Sequence, residues 1–78
     1  MGRVTAIIEE TEVFTAEAEH RFSKPRSVTV SPSFEEGMQP AKGSTLFGWL
    51  AMAQALASRA GKRLVLKQEG FIGGMAAH

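Results

Sequence analysis

The chain opens with a short apolar run, Val4 to Ile8, rich in β-branched residues, which predicts a strand. Glu9-Glu10-Thr11-Glu12 interrupts it and reads as a turn, although no Gly, Asn or Pro marks one; the alternatives are a bulge or the polar middle of one long strand. From Phe14 the pattern has a period of two. Phe14, Ala16, Ala18, His20 and Phe22 fall on one side, and Thr15, Glu17, Glu19 and Arg21 on the other. This predicts a strand running to Phe22 and places Phe22 and His20 on the core face. The competing reading is a helix capped by Thr15.

Val28, Val30, Pro32 and Phe34 then alternate with Ser27, Thr29, Ser31 and Ser33, which predicts a third strand with Pro32 at an edge or at its end. Ser23-Lys24-Pro25-Arg26 is turn-forming. Opposed residues share a face of a sheet, so paired positions must have numbers that sum to an even value. Phe22 opposite Val28, across a five-residue loop from Ser23 to Ser27, meets that condition, as does a three-residue loop.

Glu35 to Gly43 has no period and contains Gly37 and Pro40, so it reads as a connection. Residues 44–60 then read as a helix. Ser44 or Thr45 can cap its first N–H groups, and Gly61 suits the left-handed residue that closes a helix. Leu46, Trp49, Leu50, Ala53, Leu56, Ala57 and Ala60 share an arc of roughly 120° on a helical wheel, the face for a sheet. Phe47 and Met52 lie outside it on opposite flanks. Lys62 to about Gln68 returns to a strand pattern, and Glu69-Gly70 reads as a turn.

The expected fold is therefore α+β. An antiparallel sheet of about four strands, in the order β-β-β-α-β, carries one helix packed on one face. Strand order stays open, with the last strand either central or at an edge. Residues 1–72 form one domain in this reading and residues 73–78 a flexible tail.

Composition narrows the chemistry. The chain has 78 residues and no cysteine, which excludes disulfides, thiolate metal sites and thiol nucleophiles. A domain this short has a marginal core, and without staples it suits an intracellular, cytoplasmic setting. No apolar run is long enough for a membrane span. The acids are all glutamate, so neither a Ser-His-Asp triad nor an aspartate metal cluster can be assembled. His20 is a lone histidine without ligand spacing. No catalysis, metal or cofactor is expected.

Net charge is +1, but its distribution is two-ended. Glu9, Glu10, Glu12, Glu17 and Glu19 precede the basic turn of Arg21, Lys24 and Arg26. Lys42, Arg59, Lys62, Arg63 and Lys67 follow. Three surfaces result. The first is a partner-binding patch of Arg21, Lys24, Arg26, Phe47 and Met52, drawn from an apolar surplus that also includes Phe34, Met38, Phe71, Ile72 and Met75. The second is an anion or nucleic-acid surface of Lys42, Ser44, Thr45, Arg59, Lys62, Arg63 and Lys67, centred on the helix N-terminus and the basic cluster behind the helix. Ordinary capping is the favoured explanation of Ser44 and Thr45. The third is the acidic face, which can dock on a basic protein surface.

The leading expectation is a non-enzymatic protein that occupies the surface of a protein partner. Small phage-encoded inhibitors of host machinery, including anti-CRISPR proteins, share its size and scarcity of motifs, a likeness that no residue pattern carries. A nucleic-acid module and a homodimer or other homo-oligomer are the alternatives.

Overall fold

The computed structural model describes residues 1–35 and 39–70. Its elements are β1 (Gly2–Ile8), β2 (Thr11–Ala18), β3 (Ser27–Val30), α1 (Pro32–Glu35), α2 (Leu46–Ala60) and β4 (Leu64–Glu69). The four strands form one antiparallel sheet in the order β3-β2-β1-β4. The fold is α+β, with α2 across one face, and β4 takes an edge beside β1. The predicted tail and the apolar residues Met38, Phe71, Ile72 and Met75 lie outside the described residues.

The β1–β2 hairpin turns at Glu9 and Glu10, whose φ angles are 49° and 69°. Ile8 pairs with Thr11 across it. Both turn residues are left-handed, as the tight right-twisting hairpin turn requires. Further along, Ala6 pairs with Phe14 but Ile7 pairs with Glu12, so Val13 is an extra residue in β2. This bulge lets two neighbours, Val13 and Phe14, both be buried.

The parity argument holds: Phe14 pairs with Val30 and Ala16 with Val28. The loop does not have the expected length. β2 ends at Ala18, and residues 19–26 form a broad connection in which Arg26 N–H donates to Glu17 O at 2.6 Å. Phe22 and His20 are accordingly exposed loop residues rather than core ones. The alternation continued past the strand's end because His20 sits at an apolar-parity position without being an apolar residue.

The helix-facing layer of the sheet combines Val4, Ala6 and Ile8 with Phe14, Ala16 and Ala18. Leu46, Ala53 and Ala57 pack down from α2. Ala6, Ala16, Ala18, Ala53 and Ala57 have no exposed surface, and small side chains on both layers let helix and sheet approach closely. Phe14, Phe34 and Trp49 form an aromatic cluster with centroid separations of 5.4, 5.7 and 6.4 Å. Each buried ring contributes about 1.5–3 kcal/mol.

Phe34, read from the sequence as surface surplus, is fully buried. It arrives on α1, an unpredicted single turn that Pro32 opens with a φ suited to a first helical position. Ser31 N–H donates to Val13 O at 2.9 Å and ties this turn to the bulge.

α2 ends as predicted. Gly61 has φ 70°, its N–H bonds to Ser58 O, and Lys62 N–H bonds to Ala57 O at 2.9 Å, the paired bonds of a Schellman motif. Of the predicted core arc, Ala60 is exposed. Met52, predicted as an outward contact, is half-buried against the core on the Trp49–Leu56 flank.

Candidate interaction surface

The 19–26 loop crosses the first turn of α2 and is fastened to it by backbone. Leu46 N–H donates to Ser23 O at 2.8 Å, and Phe47 N–H donates to Arg21 O at 3.0 Å. Thr45 Oγ1 accepts from Gly48 N–H at 3.4 Å, and Trp49 N–H reaches Thr45 O at 3.2 Å. Ser44 turns away and donates through Oγ to Ala41 O at 2.7 Å.

These bonds decide against the helix N-terminus as an anion site. An anion needs free N–H groups at the helix start, and those of Leu46, Phe47 and Gly48 are all engaged within the chain. Thr45 is the cap, and Ser44 braces the approach to it. An open depression of about 560 Å³ does lie beside this end of the helix, with Lys24, Lys42 and Trp49 on its wall. It is a lysine-rimmed hollow without backbone donors from the first helical turn.

The fastening brings Phe22 and Phe47 together. Their ring centroids are 6.0 Å apart, and they remain 69% and 56% exposed. Two apolar rings held in water by backbone bonds of separate elements form a pre-set patch. The helical wheel puts Phe47 and Leu50 on the flank opposite Trp49 and Leu56. Trp49 meets Phe14 and Phe34, so Phe47 stands towards the β1–β4 half of the sheet. Arg21 confirms that direction: its Nη2 donates to Gln68 Oε1 at 3.5 Å.

The cations of the 19–26 loop differ in freedom. Arg26 Nη1 pairs with Glu19 Oε2 at 3.4 Å, with both side chains exposed. Arg21 is half-buried, and its Nε is shut off from solvent with no partner among the described residues. His20 Nδ1 accepts from Phe22 N–H at 3.2 Å and helps to set the loop. Its place in the turn replaces the core position expected for it.

The remaining basic residues do not join this group. Arg59, Lys62 and Arg63 lie at the far end of α2, about 20 Å away at 1.5 Å per residue. Lys62 Nζ pairs with Glu9 Oε1 at 2.6 Å and so ties the hairpin tip to the helix end. Lys67 pairs with Thr5 on the sheet face away from α2. The predicted basic surface is therefore divided by the helix and the sheet.

On that outer face an alternating row crosses the sheet. Glu17 is opposite Arg3, and Arg3 is opposite Glu69. Arg3 Nη2 donates to Glu69 Oε1 at 2.8 Å. That hydrogen bond and its charge raise Arg3 further above its ordinary value and hold Glu69 below the usual carboxylate range. Thr5 and Thr15 bond across the neighbouring rung at 3.2 Å. Among the described residues no group of His and Glu side chains converges to hold a metal ion, and no helix is long and apolar enough to cross a membrane.

The exposure of Phe22 was hidden from sequence reasoning. The available signal was the break after Ala18, where Glu19-His20-Arg21 supplies no large apolar side chain before the turn-forming Ser23-Lys24-Pro25. Compared with protein-family models, curated proteins and solved structures, the chain has no match.

Proposed function

We propose that the chain is a small non-enzymatic binding protein, an inhibitor or regulator that works by covering part of a protein partner's surface. The observation that carries this reading is the Phe22–Phe47 pair. Both rings are exposed, yet both are positioned by hydrogen bonds that do not involve a partner. Rings fixed in advance lose little freedom on binding, and a fixed aromatic cluster beside arginine is the composition of an interface anchor. Arg21, whose carbonyl accepts from Phe47 N–H, favours a partner whose apolar pocket carries an acidic group at its edge. Met52 is not part of this surface.

The test compares wild type with Phe22→Ala/Phe47→Ala as baits in a lysate of the source cell. Thr29→Ala, on the far face of the sheet, serves as control. The expected result is a protein captured by wild type and control and lost with the double variant. Folding is expected to stay intact, since both rings are exposed and such substitutions typically change stability by within about 0.5 kcal/mol. If every captured protein is indifferent to the two rings, the reading fails.

A second reading, single-stranded nucleic acid, is favoured by one observation: Phe22, expected in the core, is an exposed ring in the loop that also carries Arg21, Lys24 and Arg26. Bases stack on such rings while cations hold the phosphates. It requires salt-sensitive binding of labelled homopolymers that the double variant abolishes.

A further inference from the structure

β4 is an edge strand whose outer side pairs with no other strand among the described residues. It is six residues long, with Val65 48% and Leu66 36% exposed. The opposite edge, β3, is shorter and runs at once into Pro32 and α1, devices that blunt an edge. On β4 the charges within the strand are Lys67 and Glu69, and Glu69 is occupied by Arg3. We infer that β4 is a self-pairing edge: a second copy of this chain adds its own β4 antiparallel to it, with Leu66 opposite Leu66 on a two-fold axis.

Charge selects that register. In an antiparallel self-pair, opposed residues must share a face, so the axis passes through a residue. An axis at Lys67 sets Lys67 against its own copy. An axis at Val65 sets Arg63, the residue before β4, against Lys67 twice. An axis at Leu66 sets Arg63 against Glu69 at both ends, Val65 beside the aliphatic stem of Lys67, and the two Leu66 side chains in contact. The outer-face row of Glu17, Arg3 and Glu69 then continues into the second copy through Arg63, with signs alternating throughout. Like charges directly opposed are unfavourable and unlike charges favourable, so of these three registers only the one at Leu66 is free of a penalty; an axis at Leu64 or Gln68 also avoids opposed like charges but pairs at most three of the six β4 residues.

A two-fold axis normal to the sheet keeps both α2 helices on the same side. The product is an eight-stranded sheet in which the partly exposed Leu66 positions are covered. This surface is separate from the Phe22–Phe47 patch, and its test does not depend on that patch.

The test uses the full chain, which has no cysteine of its own. Opposed antiparallel residues have Cα atoms about 4.5–5.5 Å apart, within the disulfide range of about 4.4–6.8 Å. Leu66→Cys is therefore expected to give a covalent dimer under mild oxidation. Val65→Cys, which stands diagonally from its own copy at about 7–8 Å, is expected not to. Sedimentation equilibrium of wild type should show a monomer–dimer equilibrium. Arg63→Glu should weaken it roughly tenfold, since two favourable pairs become repulsive, while Arg63→Lys, which keeps the charge and leaves the Arg3–Glu69 bridge intact, should retain it. A monomer at every concentration, cross-linking of Val65→Cys as readily as Leu66→Cys, or an unchanged dimer in Arg63→Glu would each overturn the proposal.

Discussion

Replacing Glu9-Glu10 by Asn-Gly should make the protein more stable although it removes an ion pair. Both residues hold positive φ, 49° and 69°, a conformation that costs an L residue with a Cβ about 1–2 kcal/mol. Asn tolerates it better, and Gly carries no penalty there. Relief at two positions is on the order of 2 kcal/mol. Against this stand the extra freedom of Gly in the unfolded chain, about 0.5–1 kcal/mol, and the exposed Glu9–Lys62 pair, at most about 0.5 kcal/mol. The net gain is about 1 kcal/mol, or about 4–8 °C in Tm for a domain of this size. Thermal and urea melts by circular dichroism read it. Glu9→Gln/Glu10→Gln separates strain from charge: it removes the same charges and the same ion pair but keeps two strained residues. Should the Asn-Gly variant melt no higher than the Gln-Gln variant, the turn stores no strain and the argument fails.

Phe34→Ala should cost about 3–5 kcal/mol, because it empties a fully buried site against Phe14 and Trp49, and loss of the folded baseline in a urea melt would register it. Arg21→Met should raise stability by about 1 kcal/mol in the same melt, since it keeps the stem and removes a buried donor with no partner. It should also weaken binding at the Phe22–Phe47 patch, so stability and function move in opposite directions. Gly70→Ala should destabilise, because Gly70 has φ 82° and an added Cβ would stand 2.8 Å from Met1 O; amide exchange at the open end of β1 and β4 should rise selectively. Glu69, held low by Arg3, should titrate by NMR below the usual carboxylate range and move up in Arg3→Gln. A carboxylate with a lowered folded pKa contributes stability above its unfolded value, and that contribution is lost as pH falls through the folded one.

The readable parts of the fold were those with local causes. Thr45 and Gly61 bound α2 because capping depends on adjacent backbone, and the even-sum rule for β2 and β3 follows from the pleat alone. The turn at Glu9 was legible only as an interruption, since its residues oppose their own conformation. What failed depended on distant partners. Phe22 left the core because residues 19–26 bond to the first turn of α2, a contact between segments twenty or more residues apart. Phe34 and Met52 entered the core because α1 and the Trp49 flank close over β2 and β3. The site followed the same division: its basic residues could be named from the chain, but the pairing of Phe22 with Phe47 could not.

The surfaces left open are a consequence of one helix covering four strands. A helix with its side chains is about 10–12 Å wide, while four strands at about 4.8 Å spacing span more than that. α2 packs on β4, β1 and β2, and Phe34 on α1 extends the cover over β2 beside Trp49. No second helix among the described residues backs α2 on the β4 side, and Leu66 and Phe47 stay partly exposed. A second copy paired along β4 removes the exposure of Leu66 but not that of Phe22 and Phe47. These rings stand at the N-terminal end of each helix, and the two-fold axis keeps both pairs on the helical side of the joined sheet. Such a dimer presents two patches to one side, so a partner with repeated sites would bind it far more tightly than a single patch allows. Arg63→Glu would then weaken capture of such a partner without touching either ring, while a partner with a single site would be held equally by monomer and dimer.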